Sequence, residues 1–367
     1  MSLNVYVMGL CVWPAERAIV DVRLEELVYE TTRRALGNAG VTRQQIDNVV
    51  IAASDEFDGR SISSMLMATP SGAYLKDEIK VTDSGATALI VSAARVASGN
   101  FHLGVVASWC KPSKTDVEVL ARQKCEPIYT RPLGLNMTIT EGLFAQAVTE
   151  RWKLDVSEID RRVVDAYRRA SRNPRGANWE VPSCDEVAGT PFVASPLRDG
   201  HQAPLTDGAV SLVLASEEWV RQHPSRKPIA RLIGIGWSTD AYQLGRGRLC
   251  DMNSARAAWN MALRQAGSIQ LSDVDVFEVE SQSGFHEAAL VRALGLDDHP
   301  GFSPSGGTFA QNPVFCSGLV SMAEAVLQVA GLAGPVQVAG VRRAVGHGSH
   351  GFAQQGNVVA VFEAVGT

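Results

Sequence analysis

The sequence lacks three features that mark specialised classes of protein. Its 6 cysteines are widely scattered with no Cys-x-x-Cys pair, which argues against a disulfide framework and a cysteine-rich zinc site. Its 34 basic residues are outnumbered by 39 acidic ones and form no block, so a nucleic-acid binder is not expected. The longest mainly apolar stretches, such as residues 209–215, are far shorter than the roughly 20 residues that span a bilayer, so no membrane association is expected.

What is present indicates a compact protein of more than one domain. The chain has 367 residues, of which 46% are hydrophobic and 20% are charged. That length fits two or three domains of about 100–200 residues each. The N-terminal residues show no basic stretch and no signal-like cleavage site, and scattered cysteines suit a reducing compartment. We therefore expect a cytoplasmic protein.

Two segments of the chain have the same layout. Residues 35–40 and 262–267 each predict the end of a helix at an Ala-Gly pair, and a buried strand follows at 46–51 and at 274–279. Further on, Ser84-Gly85 and Ser317-Gly318 each open an apolar helix, followed by predicted strands at 103–107 and 336–339. Chance similarity between amphipathic helices is the alternative. We interpret the pattern as two stacked α/β halves, 1–225 and 226–367, related by a pseudo-twofold axis.

Residues from about 110 to 190 interrupt this repeat. They contain a charged helical stretch at 156–172 and a segment rich in proline, glycine and asparagine at 173–178. Long insertions of this kind often cap active sites. We predict a cap that covers one face of the first half.

Three glycine-containing motifs carry a family resemblance over nearly the whole chain. Thr-Asp-Gly-Ala stands at 206–209, Pro-Ser-Gly-Gly at 304–307 and Gly-His-Gly-Ser-His-Gly at 346–351. In this order, on a duplicated chain, they resemble the motifs of the thiolase superfamily, and most closely those of the sterol-carrier-protein-type thiolases.

The resemblance implies an α/β fold of five layers, αβαβα, and a homodimer formed through the first half. It implies a coenzyme A thioester as substrate, with no bound cofactor. In such enzymes a cysteine at a helix N-terminus is acylated, and histidine or asparagine side chains bind the thioester oxygen. The substrate-contacting positions that the resemblance implies are Ser84, Gly85, Ser305, Gly306, Gly307 and Ser349.

The motif that carries the family's nucleophile departs from the pattern. Where the family has Cys-x-Ser-Gly, this chain has Thr82-Asp83-Ser84-Gly85. A threonine hydroxyl is a poor nucleophile near neutral pH unless a base activates it. Thr82 is therefore either a nucleophile or the remnant of one, and Asp83 and Ser84 are suited to cap the following helix.

Two further positions of the family's catalytic set are replaced. The Gly-His-Pro motif reads Gln-Asn-Pro, which puts Asn312 in place of histidine. Asparagine can donate a hydrogen bond to an oxyanion but cannot transfer a proton. Glu280 stands where the family has asparagine or histidine, and a carboxylate there is a candidate general base if its pKa is raised. The alternative for Glu280 is a buried hydrogen-bond anchor.

The last glycine-rich loop supplies the remaining candidates. His347 and His350 are the histidines of this loop, and one of them is expected to carry a proton or contact the ligand. Two histidines without a third nearby ligand do not predict a metal site. Cys316 is expected to pack in the core, and Tyr242 is a further candidate acid or a packing residue.

Two functions from different classes remain open on the sequence. The first is an acyl-CoA enzyme of the acyltransferase family that makes or breaks a carbon–carbon bond. Without a cysteine it would cleave by retro-aldol chemistry, together with a small acyl-CoA-binding partner built of a zinc ribbon and an OB-fold. The second is a non-catalytic subunit that supports an active acyltransferase. The glycine-rich turns and new titratable groups favour the enzyme.

Overall fold

The computed structural model describes residues 3–59, 61–297 and 299–366. Among these residues no helix is both long enough and apolar enough to cross a bilayer. The strands are β1 (Val5–Val12), β2 (Asn48–Ala52), β3 (Asp77–Val81), β4 (Leu103–Cys110), β5 (Phe192–Ala194), β6 (Leu197–Arg198), β7 (Gly208–Ser216), β8 (Ala230–Thr239), β9 (Val276–Val279), β10 (Arg343–His350) and β11 (Gly356–Glu363). The α-helices are α1 (Leu24–Asn38), α2 (Ser63–Met67), α3 (Gly85–Ala97), α4 (Val117–Lys124), α5 (Met137–Trp152), α6 (Val156–Ala170), α7 (Cys184–Gly189), α8 (Glu217–Gln222), α9 (Arg246–Cys250), α10 (Asn253–Gln265), α11 (Gly284–Leu294) and α12 (Ser317–Val329).

The order of the strands in the main sheet mirrors itself about the sheet centre. The order is β3-β2-β4-β7-β1-β8-β11-β10-β9. From the centre outward, the first half reads β1, β7, β4, β2 and β3, and the second half reads β8, β11, β10 and β9. In each half the second strand, β7 or β11, is antiparallel to both of its neighbours, and the strands beyond it are parallel to one another. A parallel bridge between Phe277 and Phe302 lies where the counterpart of β3 is expected. This mirrored order confirms the duplication, whereas the domain boundary near residue 225 stays a prediction.

Three apolar cores separate the helices into an inner layer and two outer layers. Helices α3 and α12 lie inside, because Leu89 and Leu319 share one core with Val106 of the first half and Val358 of the second. Helix α1 covers the outer face of the first half, and α10 and α11 cover that of the second. The two halves of the main sheet form the β layers between the inner and the outer helices. The sequence of layers is therefore αβαβα, as the resemblance implied.

The prediction of a strand at 336–339 is wrong. Val336 ends a short 3-10 turn, and the strand that follows α12 is β10, at Arg343–His350. The side chain of Gln328 explains the difference, because its amide donates to the Val336 carbonyl at 2.9 Å and accepts from the Val338 amide at 3.0 Å. These backbone groups are thus satisfied by the end of α12 and do not enter a ladder.

The segment between β4 and β7 packs against the second half of the chain. Phe144 of α5 and Ile159 of α6 belong to the outer core of the second half. Gly284 of α11 allows this contact, since a Cβ there would lie 2.9 Å from Ile159 Cγ2 and 2.8 Å from Val163 Cγ2. The apolar side chains of α5 and α6 thus complete the core beside α11, whereas Lys111, at the start of the segment, donates to the Val22 carbonyl of the first half at 2.9 Å. The expectation of a cap over the first half therefore stays a prediction.

A buried ion pair fastens this inserted segment to the central helix α12, and its loss should destabilise the fold. Arg175 donates to both oxygens of Glu324, at 2.7 and 2.6 Å, and the Glu324 side chain is 2% exposed. We expect Arg175→Met to lower the free energy of unfolding by about 3–5 kcal/mol, because it leaves a buried charge without its partner. Urea denaturation measures this.

The control for this experiment is Arg168→Met on the neighbouring helix. The Arg168–Asp165 pair is 66% and 53% exposed, so its loss should cost only about 0–1 kcal/mol. Equal losses in the two variants would contradict the stabilising role of the Arg175–Glu324 pair.

Candidate active site

The N-termini of the two central helices meet beside the ends of two strands. A Cβ on Gly318, at the start of α12, would lie 2.8 Å from the Cα of Gly348 in β10 and 2.9 Å from Ala86 Cβ in α3. Only glycine, which has no Cβ, permits this approach at positions 318 and 348. Both helix dipoles therefore have their positive ends at this junction, which favours negative charge there.

Glu280 places a buried carboxyl group at the junction. It follows β9, is 3% exposed, and its Oε2 lies 2.9 Å from where a Cβ on Gly318 would be. The Ser349 backbone amide donates to Oε2 and the Gln282 side chain donates to Oε1, both at 2.9 Å. Burial raises the pKa of Glu280 to about 7, and the hydrogen bonds from Ser349 and Gln282 offset the effect only in part. Such a group can take up or release a proton near neutral pH.

Gln282 joins Glu280 to Asn312. Its amide nitrogen bonds to the carboxyl group, and its amide oxygen accepts from Asn312 Nδ2 at 3.0 Å. The second Nδ2 hydrogen of Asn312 goes to the Ala203 carbonyl at 3.1 Å, and its Oδ1 accepts from Ser317 Oγ at 2.9 Å. Asn312 is thus fixed at the start of α12 with its nitrogen directed toward Gln282.

His350 and Asp83 lie across the same junction. The His350 Nε2 atom is 3.8 Å from Asp83 Oδ2, and the His350 side chain is 19% exposed. Burial lowers the pKa of His350, and the Asp83 carboxylate offsets this in part. The imidazole is therefore largely neutral at pH 7. The buried Nδ1 atom has no hydrogen-bond partner among the residues that the structure describes.

An apolar cleft of about 530 Å³ borders the turn between β10 and β11. Phe352, two residues after His350, contributes to its wall, and the Tyr242 ring meets the Phe352 ring edge-on at 6.4 Å between centroids. A cleft of this size and lining suits an apolar group of a small molecule. The residues that line it are Glu126, Tyr129, Thr130, Leu133, Leu135, Leu143, Tyr242, Gln243, Leu244 and Phe352.

Comparison with known proteins gives similarity over most of the chain. No protein-family model matches. Sterol carrier protein 2 of Gallus gallus is 24% identical over 402 residues, covering 100% of this chain and 72% of that protein. An acetyl-CoA acetyltransferase of Methanothermobacter thermautotrophicus is 25% identical over 360 residues, covering 89% of this chain and 91% of that protein.

Solved structures share the fold at lower sequence identity. Human mitochondrial 3-ketoacyl-CoA thiolase in complex with CoA superposes with a TM-score of 0.78, at 18% identity and full coverage of both chains. The Ltp2-ChsH2(DUF35) aldolase superposes with a TM-score of 0.79, at 16% identity and 98% coverage of both chains. This chain has the fold of the thiolases.

Within the thiolase fold, the loop that opens α3 holds no activated nucleophile. Thr82 is exposed, and none of the described residues forms a hydrogen bond with its hydroxyl group. Ser84 caps the helix, as expected, because its Oγ accepts from the Thr87 amide at 3.3 Å. Asp83 accepts from the Ser84 amide at 2.9 Å and from the Thr87 hydroxyl at 3.0 Å. This loop therefore starts a helix and supports His350.

His347 does not share the site with His350. The expected glycine-rich loop is largely strand β10, in which alternate side chains face opposite sides of the sheet. The His347 ring lies near Trp259 and His286 in the outer core, and its Nε2 bonds to Asn357 Oδ1 at 2.8 Å. Burial lowers the pKa of His347 to about 4, so it stays neutral. The role expected for His347 is thus not supported by its position.

The Pro-Ser-Gly-Gly turn is bonded to Glu278 of β9, two residues before Glu280. Ser305 donates to both oxygens of the buried Glu278, through its amide at 3.2 Å and its hydroxyl at 2.5 Å. A Cβ on Gly306 would lie 2.5 Å from the Ala170 backbone, and Gly307 also has a positive φ of 55°. These residues pack the turn against α6. Of the six positions implied for substrate contact, Ser84, Gly85 and Ser349 adjoin the junction.

Two other candidates have packing positions. Cys316 is fully buried next to the Gly208 carbonyl, 3.8 Å from its Sγ, and burial raises its pKa well above the ordinary value. The thiol is therefore not a nucleophile at neutral pH. The hydroxyl of Tyr242 accepts from the Glu126 amide at 2.9 Å in the wall of the cleft.

Sequence reasoning missed Gln282 as a member of the site. Its position two residues after Glu280, on an irregular segment before α11, gave no periodic signal. Only the folded chain shows that it bonds to both Glu280 and Asn312.

Substitution of glycine by alanine should have opposite effects at the packed position 348 in β10 and at the open position 37 in α1. Gly348→Ala would place a Cβ 2.5 Å from Ala86 Cβ, so we expect about 1–3 kcal/mol of destabilisation from overpacking. Gly37→Ala, in α1, meets nothing within 4 Å and should stabilise the protein by about 0.4–1 kcal/mol. Thermal unfolding of both variants checks this, and a neutral effect of Gly348→Ala would contradict the packing described.

Proposed function

We propose that this thiolase-superfamily protein binds a coenzyme A thioester and cleaves a carbon–carbon bond in its acyl group by retro-aldol chemistry. One observation carries the proposal. Glu280 is a buried carboxyl group with a pKa of about 7 at the meeting point of two helix N-termini, whereas no described residue forms a hydrogen bond that could activate the Thr82 hydroxyl group. This arrangement suits proton transfer rather than acylation of the protein.

The reaction proposed for a β-hydroxyacyl thioester balances without a further reagent. Ionised Glu280 removes the proton of the β-hydroxyl group, and the bond between the α- and β-carbons breaks. The β-carbon becomes a carbonyl product, and the electron pair moves to the α-carbon and the thioester oxygen as an enolate. The proton held by Glu280 then returns to the α-carbon, which leaves a shorter acyl-CoA.

Asn312 and His350 are assigned to the oxygen atoms that carry charge. The Asn312 amide would donate to the enolate oxygen, which takes the place of the Gln282 oxygen as acceptor. His350, being largely neutral, would donate a hydrogen bond and thereby stabilise a developing oxyanion. The two helix dipoles act in the same direction.

The acyl portion of the substrate is assigned to the apolar cleft next to Phe352. The cleft is far larger than a two-carbon unit requires, and its walls are mainly leucine and aromatic side chains. Substrates with a bulky hydrocarbon group should therefore have lower KM values than short ones. Comparing KM for short and bulky β-hydroxyacyl-CoA substrates tests this, and no dependence on size would contradict it.

The central test replaces Glu280 by its neutral isostere. Glu280→Gln should lower kcat by about 10²–10⁴-fold, because the base is lost. Since the base acts when ionised, kcat/KM of the unsubstituted protein should rise about tenfold per pH unit below about pH 7 and level off above it. Mass spectrometry of the shortened acyl-CoA and the carbonyl product measures the rate.

The matched control is Glu278→Gln, two residues earlier, on β9. Burial, together with the nearby Glu324 carboxylate, raises the pKa of Glu278 to about 8, so the residue is mostly neutral at pH 7 and glutamine mimics it. This variant should retain activity. Equal losses from both substitutions, or a stable acyl adduct in the intact mass, would contradict the proposed mechanism.

A non-catalytic role is the second candidate, and the exposed, unactivated Thr82 is the observation that favours it. The similarity to the Ltp2-ChsH2(DUF35) aldolase supports an assembly with a partner protein. We propose a small acyl-CoA-binding partner with a zinc ribbon and an OB-fold. Activity that requires the partner but survives Glu280→Gln would place the chemistry outside this chain.

We also propose a homodimer formed through the edge strand β3. This strand is at one end of the main sheet, and its outer edge is unpaired in the described chain. Apolar side chains of the preceding segment are exposed nearby, among them Met65 at 80% and Ile62 at 56%. An open edge next to exposed apolar groups suits pairing with a second copy.

Substitution of Met65 tests the dimer. Met65→Glu should weaken the dimer at least about tenfold, because it places a charge in an apolar contact. Leu332→Glu, on an exposed side chain elsewhere, is the control and should leave the dimer unchanged. Light scattering with size-exclusion chromatography measures the masses, and a monomer in all three proteins would contradict the proposal.

A further inference from the structure

A buried pair of side chains, Glu141 of α5 and Gln354 of the turn after β10, is only half satisfied. Gln354 Nε2 donates to Glu141 Oε1 at 2.8 Å, and both residues are 6% exposed. The other two oxygens, Glu141 Oε2 and Gln354 Oε1, are buried without a partner among the described residues. Two acceptors cannot bond to each other, so leaving both unpaired would be costly.

A proton on Glu141 resolves this conflict. The carboxylic acid would then donate from Oε2 to Gln354 Oε1, and the two side chains would share two parallel hydrogen bonds. Burial raises the pKa of Glu141 to about 7, although the Gln354 amide and the Arg248 guanidinium each lower it by a smaller amount. Arg248 is the charged group that influences Glu141 in the described chain, and it is otherwise engaged with the turn itself.

The turn that contains Gln354 needs external support. Ala353 and Gln354 both have left-handed backbone angles, with φ of 46° and 52°, a conformation that is unfavourable in residues other than glycine. Arg248 of α9 donates to the carbonyls of Phe352 and Ala353, the latter at 2.7 Å. Glu141 supplies the side-chain contact from α5.

The same turn fixes His350. The residue ends β10 immediately before the turn and pairs across the hairpin with Gly356. Its ring lies over that glycine, since a Cβ on Gly356 would be 2.0 Å from His350 Nε2. A shift of the turn therefore moves the imidazole relative to Asp83 and Glu280.

We infer that Glu141 is a positioning residue that acts as a neutral acid, pairs face to face with the Gln354 amide, and holds the β10–β11 turn so that His350 faces the catalytic junction. This inference rests on the proposed function, because it assigns His350 a role in the reaction. It adds a residue from the inserted segment that makes no contact with the reacting atoms.

The test compares Glu141→Gln with Glu141→Leu. Glutamine can form both hydrogen bonds with Gln354, so Glu141→Gln should keep kcat within about twofold, whereas leucine should lower kcat about 10- to 100-fold with little change in KM. The imidazole signals of His350 in an NMR pH titration should change in the leucine variant and stay unchanged in the glutamine variant. Equal losses in both, or an unchanged His350 in the leucine variant, would overturn the inference.

Gln354→Glu keeps the volume of the side-chain pair. It replaces the leucine variant in the test if that variant does not fold. Two carboxyl groups can share a proton at low pH but repel each other when both ionise, so its kcat should fall as pH rises through the range in which the unsubstituted protein is active. A profile identical to that of the unsubstituted protein would overturn the inference. The His350 signals are read without substrate, so they distinguish failure of this inference from failure of the proposed reaction.

Discussion

The contact between helices α3 and α12 in the middle of the molecule is the constraint on which the site depends. Gly318, Gly348 and Ala86 bring the start of each helix within van der Waals distance of β10. Because the helices begin at the same place, the positive ends of both dipoles act on one small volume. The duplication of the chain produces this arrangement, since a twofold relation brings equivalent helix starts together. The junction therefore favours groups that carry negative charge.

Buried carboxyl groups recur around this centre, and their hydrogen-bond partners decide what each can do. Glu278 accepts two hydrogen bonds from one serine and is closed off by the turn. Glu324 is neutralised by Arg175. Glu280 is held by a backbone amide and by the side chain of Gln282, which also bonds to Asn312. Among these three groups, Glu280 combines a pKa near neutrality with a place at the helix junction.

Local sequence signals predicted what local interactions control. The Ser84 cap, the two central helices and the order of repeated elements are set by side chains within a few residues of one another. The strand expected at 336–339 does not form, because the side chain of Gln328, 8 to 10 residues earlier in the chain, forms hydrogen bonds with the backbone of Val336 and Val338. The position of His347 does not support its expected role, because the glycine-rich segment that was expected to be a loop pairs with β11 and β9 as strand β10.

The sequence by itself determined the duplicated α/β fold and the family resemblance, and it led to the expectation that Thr82 stands where the resemblance puts a cysteine. Tertiary structure alone decided that Glu280 lies at the junction, that Gln282 links it to Asn312, and that His350 but not His347 faces the same side. The physical reason is that pKa values and hydrogen-bond partners depend on burial and on atoms distant in the chain. Helix caps and hydrophobic periodicity depend on neighbours along the chain, so they can be read from the sequence.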